Sequence, residues 1–161
     1  MALPQLIAED VQELDRLLGE LVSRSEATAA IIIDKGGFLI NQAGEFDQFD
    51  STTLAALAAG SFAATQGMAS IVSESNFNCV YQQGENLSLV VQNIEEDTLL
   101  VVVFRTYVSV GAVKYFANAT VPKIAAQFHS ARQRDPDTSI DLSVMNLENS
   151  SDFFRKVAGT A

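Results

Sequence analysis

Apolar residues Ile7, Val11, Leu14, Leu18 and Leu21 recur at intervals of four and three. That is the period of an amphipathic helix. The pattern predicts a helix over residues 3–24, with Pro4 in its first turn and Glu9 and Asp10 near its positive end. The run AAIIID at 29–34 is short, apolar and β-branched, as in a strand covered on both faces. Lys35, Gly36 and Gly37 then supply a tight turn, and 38–41 returns as the second strand of a hairpin. Three further strands follow. Segment 77–82 sets Phe77, Cys79 and Tyr81 on one face. Segment 86–92 alternates, with Leu87, Leu89 and Val91 inward and Asn86, Ser88 and Gln92 outward. Segment 98–104, TLLVVVF, is apolar throughout and reads as central.

Segment 51–73 follows neither pattern. It has the length of a helix, Asp50 or Ser51 to cap it, and no Asp, Glu, Lys or Arg. On a helical wheel Leu54, Leu57, Ser61, Ala64, Met68, Ile71 and Val72 share one side, taken to face the core. Ala56, Ala59, Gly60, Ala63, Gly67 and Ser70 lie roughly opposite, on a strip of small residues outside the core. A surface helix normally carries charge on its outer face. A neutral strip of small residues lets another backbone approach closely, which points to binding. The run is also long enough to span a membrane, but its Ala, Gly, Ser, Thr and Gln66 content and lack of basic flanks argue against insertion.

Residues 109–132 form a last helical pattern interrupted by Pro122. Proline inside a helix costs roughly 3 kcal/mol, so a kink or a break is expected near 118–120, with Thr120 capping the second half. The order of elements gives an α+β class, an α/β/α sandwich around a five-stranded, mostly antiparallel sheet. One domain over 1–132 is expected, followed by a linker and tail over 133–161 with a short helical candidate at 150–157.

Composition narrows the partners. The chain has 161 residues and a net charge of −10. Nucleic acid and anionic membrane are poor matches, because phosphate binding draws on Lys and Arg. A single cysteine, Cys79, excludes an internal disulfide and suits a reducing cytosol. The first residues lack the basic and apolar segments of a signal peptide.

Candidate chemistry is sparse. His129 is the only histidine and reads as a surface residue; Cys79 reads as a buried strand residue. Gly36-Gly37 is too short to cradle a phosphate, and no P-loop or dinucleotide motif occurs. Glu95, Glu96 and Asp97 read as a solvated turn rather than a cation site. None of Arg24, Arg105, Arg132, Arg134 or Arg155 lies beside the small-residue strip in sequence, so no arginine finger is expected. No catalytic residue, cofactor or metal is expected.

The segments IIIDKGGFLINQAGEFDQFDSTTLAALAAGSFAATQGMASIVSESNF, YQQGENLSLVV, TLLVVVF and VSVGAVKYF together resemble the roadblock/LC7 family, over about 29–128. The pieces D-K-x-G, L-A-A-G-x-x-A-A and the Q-G-E turn are specific in combination. The resemblance implies a homodimer that pairs the long helices and joins edge strands, here through Phe77, Asn78, Cys79, Val80 and Tyr81. It is closest to the bacterial members that regulate a Ras-like small GTPase of the MglA type in cell polarity and motility. It implies that Ala56, Ala59, Gly60, Ala63, Gly67 and Ser70 meet the GTPase. It further implies activation of hydrolysis by repositioning the GTPase's own switch residues, in the cytoplasm and at a cell pole. A C-terminal segment of such proteins docks on the GTPase and favours nucleotide exchange; Phe153 and Phe154, within 146–156, are the candidates here. The alternative is a roadblock scaffold that binds a GTPase or another partner without stimulating it.

Overall fold

The computed structural model describes residues 3–134. Among them the chain forms α1 (Ala8–Ser25), β1 (Ala29–Asp34), β2 (Leu39–Gly44), α2 (Ser51–Ile71), β3 (Cys79–Gln83), β4 (Leu87–Glu95), β5 (Thr98–Arg105) and α3 (Val110–Gln133). The five strands make one sheet in the order β2-β1-β5-β4-β3. Every neighbouring pair is antiparallel. The two hairpins β1–β2 and β4–β5, with β3 added outside β4, leave β2 and β3 as the edges.

Strand alternation divides the core into two layers. Ala30, Ile32, Val90, Leu100, Val102 and Phe104 face α1 and α3, where they meet Leu14, Leu17, Leu18, Leu21, Val113, Ala117, Ile124 and Phe128. Ile31, Ile33, Val91, Leu99 and Val101 face α2. The expected α+β sandwich is therefore the observed one. β4 departs from the expected alternation: Ser88 and Val90 are as buried as Val91, because helices cover both faces of the sheet.

Three boundaries differ from the sequence expectation for identifiable reasons. α1 starts at Ala8 rather than residue 3, so Pro4 precedes the helix. The Asp10 carboxylate accepts a hydrogen bond from the Ile7 main-chain nitrogen at 2.8 Å and caps the helix there. Val11 is left largely exposed, while Leu17 joins the buried stripe. β2 runs to Gly44 because Ala43 and Gly44 still pair with Ala30 and Ala29, and Phe38 stays exposed in the turn. A side chain at Gly44 would meet the Thr28 carbonyl oxygen, and its φ of +109° is disfavoured for other residues.

α3 is continuous through Pro122, which corrects the expected break. Its buried residues Val113, Ala117, Thr120, Ile124 and Phe128 keep helical spacing on both sides of the proline. That shared packing outweighs the lost hydrogen bond. Pro122 and Asn118 both lie on the exposed face, where water can satisfy the carbonyl that proline cannot. Thr120 is no cap; its hydroxyl donates to the Phe116 carbonyl at 2.9 Å.

Asp10 ties the ends of two helices together. It is fully buried, and its second oxygen accepts from Gln127 Nε2 on α3 at 2.7 Å. Asp10→Ala removes the acceptor of two part-buried donors and leaves a cavity where a buried carboxylate sat, so it should lower stability by about 2–4 kcal/mol. Urea denaturation of the two proteins measures this directly.

Asp50 caps α2 through the main-chain nitrogens of Thr52 and Thr53 and the Thr53 hydroxyl. The Thr53 hydroxyl, and then the Thr52 nitrogen, hold its carboxyl below the usual carboxylate range. A lowered folded-state pKa contributes stability above the unfolded value near 4, lost as pH falls through the folded value. The stability gap between the native protein and Asp50→Ala should therefore be full at neutral pH. It should shrink only below about pH 4 in a pH series of urea melts.

Candidate functional site

Helix α2 meets the sheet through Ala55, Ala58, Ala59, Phe62, Thr65 and Ala69. The small residues bring the helix close to Ile31, Ile33, Leu99 and Val101, and Phe62 is its one large buried side chain. The close approach extends to the β1–β2 turn. A Cβ on Gly37 would lie 2.9 Å from the Ala56 Cα.

This face corrects the helical-wheel expectation. Ala59 is buried against the sheet and is excluded from the outer strip. Conversely, Leu57, Met68, Ile71 and Val72, expected in the core, are 67%, 54%, 82% and 62% exposed. Ala56, Gly60, Ala63, Gly67 and Ser70 are exposed as expected, and Ala64 lies with them. With no charge on the helix, nothing in the wheel marked which side was outward. Phe62 is the signal that could have: it is the largest side chain in the run and selects the core face.

The outer face of α2 is thus apolar, wide and open. Two hydroxyls of the helix are spent on its own main chain, the exposed Ser70 donating to the Gly67 carbonyl and the buried Thr65 to that of Ser61. α1 provides the contrast: Arg16 pairs with Glu13 and Glu20, and Arg24 with Glu20, across its outer surface. α2 has the length and apolarity of a membrane span, yet one face of it packs on the sheet. Beside it an apolar groove of about 190 Å³ opens between Phe49, Leu54, Leu87, Ser88, Leu89 and Val103.

The β3 edge adjoins this surface. β3 spans Cys79–Gln83 rather than 77–82. Cys79 and Tyr81 lean to the α1/α3 side, where Tyr81 stacks on Phe104 at 6.3 Å between ring centroids. Val80 leans to the α2 side. Burial pushes the Cys79 thiol up, and the Lys114 ammonium pulls the other way. Phe77 and Asn78 precede the strand, and Phe77 is bonded to Gln66 of α2. The structure therefore brings the two predicted surfaces together. Sequence reasoning missed Gln66, whose only signal was being the long polar residue in an uncharged helix.

The remaining chemistry is dispersed. Among the described residues no group of three or more His, Cys, Asp or Glu is placed to hold a metal ion. His129 is exposed on α3, and the Arg24 guanidinium lies over the Phe116 ring at 5.0 Å, on the α1/α3 side. The tail candidates Phe153 and Phe154 lie outside the described residues.

The Roadblock/LC7 domain model matches residues 13–104. Among solved structures, MglB of Myxococcus xanthus is 29% identical with a TM-score of 0.70, covering 73% of this chain and 96% of that one. The gliding protein MglB of Thermus thermophilus is 29% identical with a TM-score of 0.72, covering 80% and 97%. A third structure, described as MglB with tetrameric arrangement, is 28% identical with a TM-score of 0.75, covering 81% and 97%. Nothing among curated protein sequences matches.

Two glycines test whether this face is open in the free protein. A Cβ built on Gly60 or on Gly67 meets nothing within 4 Å. Gly60→Ala and Gly67→Ala should each raise the unfolding free energy by roughly 1 kcal/mol, the helix-propensity difference. A loss of stability in urea melts would mean that another surface already covers these positions.

Proposed function

The chain belongs to the Roadblock/LC7 family, and we propose from that membership and the open α2 face that it is a homodimeric activator of a bacterial Ras-like small GTPase of the MglA type. The observation that carries this reading is the charge-free outer face of α2, with Leu57, Met68, Ile71 and Val72 exposed beside a strip of Ala and Gly. An apolar surface of that extent on a single chain marks an interaction site. Likeness to MglB structures supports a regulator that works by binding, with no active site of its own.

In this reading, copies associate through the large residues of α2 and the β3 edge. The GTPase lies on the crest formed by Ala56, Gly60, Ala63, Gly67 and Ser70. Small side chains there let the GTPase switch segments come close to the helix backbone. No cation is needed at the phosphate. The platform favours the switch conformer that orients the attacking water, and acceleration follows from tighter binding of that conformer. Control of cell polarity and motility from the cytoplasm, and a contribution of the tail to exchange, belong to the same proposal.

The test combines one variant with one assay. Gly67→Arg places a long charged side chain where close approach is required, with room for it in the free chain. It should melt cooperatively and no less stably than the native protein, and weaken GTPase binding at least tenfold, about 1.4 kcal/mol or more, by calorimetry. Native protein at saturation should accelerate phosphate release from the GTP-loaded partner. Binding without acceleration would leave a scaffold; normal binding by Gly67→Arg would remove the crest from the interface.

A further inference from the structure

Gln66 spends its whole carboxamide on one residue. Its Nε2 donates to the Phe77 carbonyl oxygen at 2.6 Å, and its Oε1 accepts from the Phe77 main-chain nitrogen at 3.3 Å. A side-chain amide so placed imitates one rung of an antiparallel ladder.

The position of that rung gives it a consequence. The Asn93 main-chain nitrogen donates to the Asn78 carbonyl at 3.0 Å, and β3 pairs with β4 with Cys79 opposite Gln92 and Val80 opposite Val91. Main-chain groups change sides at each residue of an antiparallel strand. Asn78, Val80 and Gln82 therefore turn theirs to β4. Phe77, Cys79, Tyr81 and Gln83 turn theirs away from β4, towards the open edge of the sheet. Of these, Phe77 is already taken by Gln66. The rungs left for another strand are Cys79, Tyr81 and Gln83, a set symmetric about Tyr81.

We propose that Gln66 sets the register in which the β3 edge accepts a second copy of this chain, by withholding the Phe77 rung. The strands then pair antiparallel with Tyr81 on the two-fold axis and Cys79 opposite the partner's Gln83. This rests on the homodimer reading above. It also makes Gln66 the link between the helix that carries the interaction surface and the edge that joins the copies.

The register is readable by cross-linking. With Tyr81 on the axis, the two Cys79 α-carbons are offset by about four residues, ~13 Å along the strands. That exceeds the roughly 7 Å limit for a disulfide. A register that used the Phe77 rung as well would be symmetric about Val80 and set Cys79 opposite the partner's Tyr81. Cys79 would then be offset by two residues, ~7 Å along the strand, from both the partner's Cys79 and the partner's Gln83, beyond bridging range once the strand separation is added.

The experiment is mild diamide oxidation of the full chain, read on non-reducing gels, with sedimentation equilibrium in parallel. The native protein should sediment as a dimer and give no covalent dimer. Gln83→Cys should give one, through Cys79 and the substituted position, and adding Cys79→Ser should abolish it. Added to Gln83→Cys, Gln66→Leu should release Phe77, move the pairing by two residues and abolish that covalent dimer while the protein still sediments as a dimer. Gln66→Glu, which keeps the shape but loses the donor to the Phe77 carbonyl, should do the same and serves if Gln66→Leu fails to melt cooperatively. A Cys79 bridge in the native dimer, or no bridge in a dimeric Gln83→Cys protein, overturns the register. A folded, dimeric protein carrying Gln83→Cys with either Gln66 substitution that still gives the covalent dimer overturns the role of Gln66. A native chain that sediments as a monomer overturns the homodimer reading itself, an outcome the sedimentation data separate from the others.

Discussion

The close packing of α2 on the sheet governs the rest of the molecule. Ala55, Ala58 and Ala59 bring the helix backbone near the apolar surface of β1 and β5, and Phe62 fills the space between. A helix held by such small residues buries little apolar area of its own. Its larger side chains, Leu57, Met68, Ile71 and Val72, are displaced to the outside. The inner contact and the outer surface are thus one choice of helix rotation, and changing either would change the other.

That outer surface has an energetic scale. Full burial of a large aliphatic side chain contributes roughly 1.5–3 kcal/mol. These four are 54–82% exposed, so about two thirds of the sum remains, on the order of 4–8 kcal/mol per copy and 8–16 kcal/mol for two. Association costs roughly 4–15 kcal/mol in lost translational and rotational freedom. Helix burial alone is therefore a marginal basis for a stable dimer. In the proposed homodimer, strand pairing along β3 would supply the remainder and the geometry, and the Gln66–Phe77 hydrogen bonds would then matter more than a single side chain suggests. The contrast with α1 is instructive. Its ion pairs at Glu13, Arg16, Glu20 and Arg24 keep that face solvated.

The sequence was most legible where short apolar, β-branched runs were bounded by turn residues. β1 was read to the residue, and the order of elements and the sheet class followed from turn chemistry and strand length. Legibility failed where the deciding term was tertiary. Pro122 predicts a break from local cost alone, but the apolar stripe from Val113 to Phe128 spans it. Pro4 favours an early start for α1, but the Asp10 carboxylate sets the cap at Ile7. α2 stood out by its lack of charge, and that same lack hid its orientation. Ala59 was placed outside and Leu57 inside, because hydrophobicity ranks leucine for the core and only close packing ranks alanine there. Gln66 could not be assigned a partner, since Phe77 lies a full loop away.

A neutral platform also restricts how the proposed activator can work. It cannot add opposite charge to a phosphoryl group, so its whole effect must come from preferring one conformer of the GTPase. Moving a two-state equilibrium from 1:99 to 99:1 requires about 5.5 kcal/mol of differential binding. At roughly 25 cal/mol per Å², this corresponds to on the order of 200 Å² more apolar surface covered in the active conformer than in the inactive one. A crest of Gly60, Ala63 and Gly67 suits that requirement, since its small side chains let a partner's switch segment lie along the helix. A strip bearing Lys or Arg would instead bind anionic surfaces of both conformers and discriminate less. The absence of charge on α2, which first distinguishes this chain, is on this view the property that makes its binding selective.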